Sequence, residues 1–148
     1  MRKALASIGV LVALTGSAAA QGAVALAGPV VAEVVRVIDG DTVEVRARAW
    51  IDTEVTTRVR LLGVDTPEKG SRARCTAEAK LADRASAATR AALPEGAAVL
   101  LRDIRPDKYG GRVVAAIEGP DGRDLAAALL DAGLARPYDG GRKAGWCD

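Results

Sequence analysis

From Val30 to Val64 the apolar and polar positions alternate as they do in half-buried strands. Val30 to Ile38 is rich in β-branched residues, with Glu33 and Arg36 its only charges, and reads as a first strand. Asp39-Gly40-Asp41 reads as a turn, because Asp-Gly supplies the conformations a tight hairpin needs. In the second strand Val43, Val45 and Ala47 alternate with Glu44, Arg46 and Arg48. A third, about Val55 to Val64, sets Val59 and Leu61 on one face and Arg58, Arg60 and Leu62 on the other. Pro67 stops the pattern: it has no N–H for a ladder and holds Thr66 in extended backbone.

Beyond it, Ser71 to Leu93 is alanine-rich with scattered charges, a helix that stops at Pro94. Ala97 to Ile104 and Gly111 to Ile117 read as a fourth and fifth strand, joined by the turn Pro106-Asp107-Lys108-Tyr109-Gly110-Gly111. Asp121-Gly122 marks another turn. Asp124 is placed to cap a short helix running through Ala132, with Gly133 just past its end. Residues 133–148 show no period, and the chain has no internal repeat. Three strands, a helix, two strands and a helix predict an α+β chain, mainly β: a five-stranded barrel of the OB type with two helices. OB barrels commonly bind nucleic acid, but a fold alone does not settle function.

The chain's 148 residues suffice for one domain with one core. Residues 1–20 are expected outside it, as a signal peptide: Arg2 and Lys3 lead, Ala4 to Leu14 is apolar, and Ala18-Ala19-Ala20 offers a cleavage site before Gln21. The alternative, an uncleaved anchor, conflicts with Thr15, Gly16, Ser17 and Gln21, which interrupt the run short of the roughly 20 apolar residues a span needs. Residues 21–29 form an Ala/Gly-rich, flexible lead-in, and 30–148 the domain. The mature protein is thus expected in the periplasm or outside the cell, as a monomer without a membrane association.

Export changes the charge balance. Loss of Arg2 and Lys3 takes the 21 basic residues to 19, equal to the 19 acidic ones, so no overall basic field attracts polyanions. Phosphate recognition must then be local. The chain contains no histidine, which excludes His-based zinc sites and Ser-His-Asp triads. Two cysteines are too few for a structural cysteine-zinc site, and in an exported protein Cys75 and Cys147 most simply form one disulfide. A metal held here would bind to oxygens and be hard: calcium, magnesium or manganese. The corner after the third strand gathers such groups. Asp65, Thr66 and Glu68 fall within four residues, with Arg60 five residues upstream of Asp65.

Three motifs occur in order: Ile38-Asp39-Gly40-Asp41-Thr42, then Arg60-Leu61-Leu62-Gly63-Val64-Asp65-Thr66-Pro67-Glu68, then Asp107-Lys108-Tyr109-Gly110-Gly111-Arg112. With them the chain closely resembles the staphylococcal nuclease (thermonuclease) family from about Val30 to Tyr138. The resemblance implies calcium-dependent cleavage of DNA and RNA that leaves 3′-phosphates. It implies metal ligands at Asp41, Asp65 and the Thr66 carbonyl, phosphate-binding arginines at Arg60 and Arg112, and a catalytic carboxylate at Glu68. Lys108 and Tyr109 match nucleotide contacts, and Tyr138 lies one position from a base-stacking tyrosine. The long third helix of many relatives is not expected here, since only about ten residues follow Tyr138.

The residues support that chemistry independently. Two aspartates and a carbonyl can hold a divalent cation against a phosphoryl oxygen, and guanidinium groups pair with phosphate without losing charge. Glu68 either takes a proton from water or orients it. Asp39 is a turn residue or a second carboxylate near the metal. An extra glycine before Arg112 either forms a bulge that keeps the arginine's aim or turns it to the opposite face. The alternative function is a non-catalytic OB module that binds nucleic acid. Against it stand the full acidic and arginine set and the scarcity of stacking surface, with no Phe, two Tyr and two Trp.

Overall fold

The computed structural model describes residues 24–147; the leader expected over residues 1–20 lies outside them. Strands β1 (Val30–Val37), β2 (Thr42–Trp50), β3 (Thr53–Leu61), β5 (Ala98–Pro106) and β6 (Arg112–Glu118) close into a barrel in the order β1-β2-β3-β6-β5, and two short strands, β4 (Val64–Asp65) and β7 (Arg136–Pro137), pair beside it. This is the mainly β, OB-like barrel with two helices that the alternation predicts. All barrel pairs are antiparallel except β3 with β6, which run parallel.

The barrel interior is the apolar half of the alternation. Val34, Val43, Val45, Val59, Leu61, Val99, Leu101, Ala115 and Ile117 are buried there, while Arg58 and Arg46 on the opposite parity are exposed. Ahead of β1, Leu26 pairs with Ile104 and the Asp103 N–H donates to Ala27, so the segment expected as a lead-in is tied along β5.

The helices differ from expectation at their starts. Helix α1 spans Thr76–Ala92, not from Ser71, and a separate 3-10 turn covers Gly70–Arg72. Gly70 takes a positive φ of 62°, and the Glu78 carboxylate accepts the N–H groups of Glu68 (3.2 Å) and Arg74 (2.7 Å). Those N–H groups face a side chain instead of a helical turn, so the loop stays open. The second helix, α2 (Leu125–Asp131), has Asp124 as its cap, accepting from Ala127 N–H at 2.8 Å. Gly133 follows at φ 66°, with Leu134 N–H returning to Leu129 and Gly133 N–H to Leu130, which satisfies the last carbonyls.

Helix α1 is alanine-rich because it must come close. Its buried stripe of Glu78, Ala82, Ala85, Ser86 and Thr89 repeats at three and four residues. Over the β1–β2 turn, the Thr89 hydroxyl donates to the Gly40 carbonyl at 2.7 Å. A methyl group at Gly40 would stand 2.8 Å from the Ala85 Cβ and 2.9 Å from the Thr66 Oγ1. The third strand also ends early, at Leu61: Gly63 takes φ 80°, and the chain steps out to pair as β4 with β7.

Cys75 and Cys147 are joined by a disulfide across 72 residues, and among the described residues no helix follows α2. No helix there is long and apolar enough to cross a membrane.

Reduction of the disulfide is expected to lower stability by about 2–4 kcal/mol, read as a fall in Tm under reductant. Gly40→Ala is expected to cost about 1–3 kcal/mol by overpacking against Ala85 and Thr66, measured by urea unfolding; an unchanged midpoint would show that the turn gives way freely.

Candidate active site

Five segments of the chain meet at one open cleft of about 420 Å³, within the range of small-ligand sites. The β1–β2 turn brings Asp39 and Asp41, β3 brings Arg60, and the loop after β4 brings Thr66 and Glu68. The β5–β6 turn brings Lys108, Tyr109 and Arg112, and Tyr138 closes the side from the C-terminal tail. Asp65 sits behind the wall, buried, with its carboxylate turned to Arg60.

Arg60 is the centre of the charge network. Its Nη1 lies 3.0 Å from Asp41 and its Nη2 3.1 Å from Asp65. It reaches both because Thr42 faces Arg60 across the β2–β3 ladder, placing Asp41 at the adjacent turn, while the step after Leu61 returns Asp65 to the same side. Burial alone would lower the Arg60 pKa, but the Asp41 and Asp65 carboxylates outweigh it and raise it above the ordinary arginine value.

Asp41 is almost fully enclosed. Its oxygens also accept the Thr42 hydroxyl at 3.0 Å and the Thr66 N–H at 3.2 Å. Burial pushes its carboxyl up to about 6, with the nearby Asp39 adding to the rise and Arg60 opposing it. Two buried carboxylates, with a third beside them, share Arg60. That excess of negative oxygen suits a hard cation, so the donor set fits the ion expected from sequence. The Cys75, Glu78 and Cys147 side chains also cluster, but the two sulfurs are bonded to each other and leave no thiolate to bind a metal.

Arg112 shares the face of Arg60. Across the parallel ladder Arg60 lies opposite Val114, and Arg112, two residues earlier, has the same parity as Val114. All three side chains line the cleft. The extra glycine is absorbed in the turn, where Gly111 adopts φ 80°, and Pro106 and Val113 remain paired. A separate register irregularity lies on β5 between Arg102 and Arg105, where Asp103 has φ 51°. The Asp107 carboxylate accepts from Arg112 Nε and fixes its stem. Tyr109, largely exposed, lies under Arg112 with 4.8 Å from guanidinium carbon to ring centroid, and Lys108 is 5.5 Å from the same ring. Tyr138 lies 5.6 Å from Arg60 and donates its hydroxyl to the Gly141 carbonyl.

Glu68 stands at the rim, with Oε2 3.2 Å from Arg72 and Oε1 2.8 Å from Lys143. Sequence reasoning did not find Lys143, Glu78, Arg72 or a role for Asp107. Asp107 carried a local signal, an acid at a turn five residues before the arginine it holds. Lys143 carried none.

Comparison with known proteins agrees with this geometry. The family model described as "Staphylococcal nuclease homologue" matches residues 58–144, a span that contains every residue named in the cleft except Asp39, Asp41 and Thr42. A protein of Escherichia coli named "Uncharacterized endonuclease" is 32% identical over 106 residues, 72% of this chain and 60% of that protein. A protein of the same name from Escherichia coli O157:H7 matches to the same extent. The chain therefore spans 60% of the length of these curated relatives. The match over more than half of its residues places the chain in the staphylococcal nuclease homologue family.

Proposed function

We propose that this protein is a calcium-dependent nuclease that hydrolyses phosphodiester bonds of DNA and RNA with little sugar or sequence specificity, leaving 3′-phosphates. The observation that carries this reading is the convergence of Arg60, Arg112, Glu68 and Asp41 on one open cleft, with Asp65 paired behind it. Family membership and the endonuclease name of its relatives support a nuclease. Export to the periplasm or beyond, and action as a monomer, belong to the same proposal.

Asp41, Asp65 and the Thr66 carbonyl are the residues that would hold the ion. When bound, a divalent cation neutralises phosphate charge and polarises a phosphoryl oxygen. The chain's own residues then divide the remaining work. Arg60 and Arg112 approach the phosphate from adjacent strands of one face, donating charge-assisted hydrogen bonds that strengthen as negative charge builds at phosphorus. Glu68 faces the cleft from its rim, where it receives a proton from the attacking water or holds that water in line. The water oxygen bonds to phosphorus as the water gives up a proton to Glu68 or to solvent, the bond from phosphorus to the 5′ oxygen breaks, and that oxygen takes a proton from solvent. Lys108, Tyr109 and Tyr138 border the cleft as contacts for the sugar and base. Such contacts, made without reading base edges, suit a substrate range set by the backbone.

Purified protein lacking the leader should cleave single-stranded DNA with calcium and lose that activity in excess EGTA, with zinc a poor replacement. Full activity in chelator, or activity with zinc alone, would falsify the calcium assignment.

Glu68→Gln and Arg112→Ala are each expected to lower kcat by about 10²–10⁴-fold in folded protein, checked by steady-state kinetics beside circular dichroism. Arg60→Ala would strand two buried carboxylates, so Arg60→Lys is the cleaner probe. It retains the charge, loses the paired donors, and should fall by a similar factor.

A further inference from the structure

After β7 the chain forms no helix or strand among the described residues, yet it is held at several points. The Tyr138 N–H donates to the Gly63 carbonyl at 2.9 Å. The Arg136 guanidinium lies 4.1 Å from the Trp146 ring and donates to the Gly145 carbonyl. Cys147 is bonded to Cys75. Between these anchors Lys143 extends inward, its Nζ 2.8 Å from Asp65 Oδ1 and 2.8 Å from Glu68 Oε1.

Glu68 needs such a partner. It stands on an irregular loop at the rim of the cleft, with 31% of its side chain exposed. The Glu78 carboxylate fixes its backbone N–H but not its carboxylate. Arg72 reaches Oε2, but its own side chain is 62% exposed and also approaches Asp39 at 3.7 Å. Among the described residues, Lys143 is the side chain that ties the Glu68 carboxylate to a buried carboxylate, since the Asp65 side chain is only 6% exposed.

We propose that Lys143 is a positioning residue for Glu68, delivered to the site by the tail that Cys75–Cys147 pins down. The inference rests on the nuclease reading above. A free lysine on a surface carboxylate is a weak hold, because a long mobile side chain must be ordered for little gain. The disulfide changes that balance. Cys147 follows Lys143 by four residues, and Cys75 follows Glu68 by seven, just ahead of α1. The bond therefore joins the segment that carries the ammonium to the one that carries the carboxylate. The encounter becomes intramolecular at short range and its effective concentration rises. Two carboxylates on one ammonium also fix its direction, so Glu68 is held toward the cleft.

The test compares Lys143→Met, Lys143→Arg, the double variant Cys75→Ser/Cys147→Ser, and that double variant carrying Lys143→Met. Kinetics are measured on single-stranded DNA with saturating calcium, and Tm is recorded for each. Lys143→Met is expected to lower kcat about 10- to 100-fold, with KM within about twofold and Tm nearly unchanged, since misplacing a catalytic group costs this much. Lys143→Arg should recover most of the loss. The double cysteine variant should show a similar loss, and adding Lys143→Met to it should change little. Wild-type or raised kcat in Lys143→Met, or a loss confined to KM, overturns the proposal. A second measurement needs no activity: acetylation of amines by an N-hydroxysuccinimide ester, followed by mass spectrometry. Lys143 should react several-fold more slowly than the exposed Lys108; the difference should shrink in Glu68→Gln, where Asp65 still pairs with the ammonium, and vanish in the double cysteine variant. Equal rates in the wild type sink the contact itself. Protection of Lys143 in a protein that cleaves no nucleic acid with any ion would keep the contact and overturn the nuclease reading instead.

Discussion

The arrangement of the site depends on one ion-pair network, a guanidinium held between two buried carboxylates. Arg60 lies on β3, Asp41 on the turn before β2, and Asp65 on β4, so three segments are locked by one side chain. Removing three charges from water is costly, and a single cation does not offset two anions. The cost is visible in Asp41, whose carboxyl is pushed up to about 6 by burial despite the arginine beside it, with Asp39 adding to the rise. Lys143 brings a second positive charge to Asp65 and Glu68, which hold it above the ordinary lysine pKa against the effect of burial.

The network has its geometry because the turn beneath it is packed and hydrogen-bonded against α1. Gly40 is buried against Ala85 and Thr66, and its carbonyl is taken by the Thr89 hydroxyl. Small residues along α1 permit that approach, and Pro94 ends the helix's reach beyond Leu93. The helix thus anchors the loop carrying the first aspartate, while through Glu78 it also holds the backbone of Glu68 and Arg74. A helix that looks like simple packing material supports both ends of the acidic set.

The tail does on one side what regular structure does on the other. With no helix after α2 among the described residues, the segment from Tyr138 to Cys147 is ordered by β7, by Arg136 over Trp146 and by the disulfide. A covalent staple restricts the unfolded chain as well as the folded one, which suits a segment with little apolar surface to bury. It closes the cleft with Tyr138 and delivers a cation no local pattern announces.

Much of this was legible in the residues. Alternation of apolar and charged positions determined the five barrel strands and which face of β3 carries Arg60, because side-chain parity in a strand is a local property. The Asp124 cap and Gly133 determined both ends of α2, for capping is local as well. Motifs short enough to be contiguous pointed to Asp41, Arg60, Asp65, Glu68 and Arg112. The start of α1, the early end of β3, the face of Arg112 and the place of Lys143 were decided only by tertiary structure. The first depends on a carboxylate ten residues from the N–H it receives, and the second on a strand partner over seventy residues away. Both faces of β6 are apolar, so parity could not choose for Arg112; its parallel pairing with β3 did. Lys143 meets Glu68 across 75 residues of chain, and a lysine in an aperiodic tail has no local environment that marks its partner.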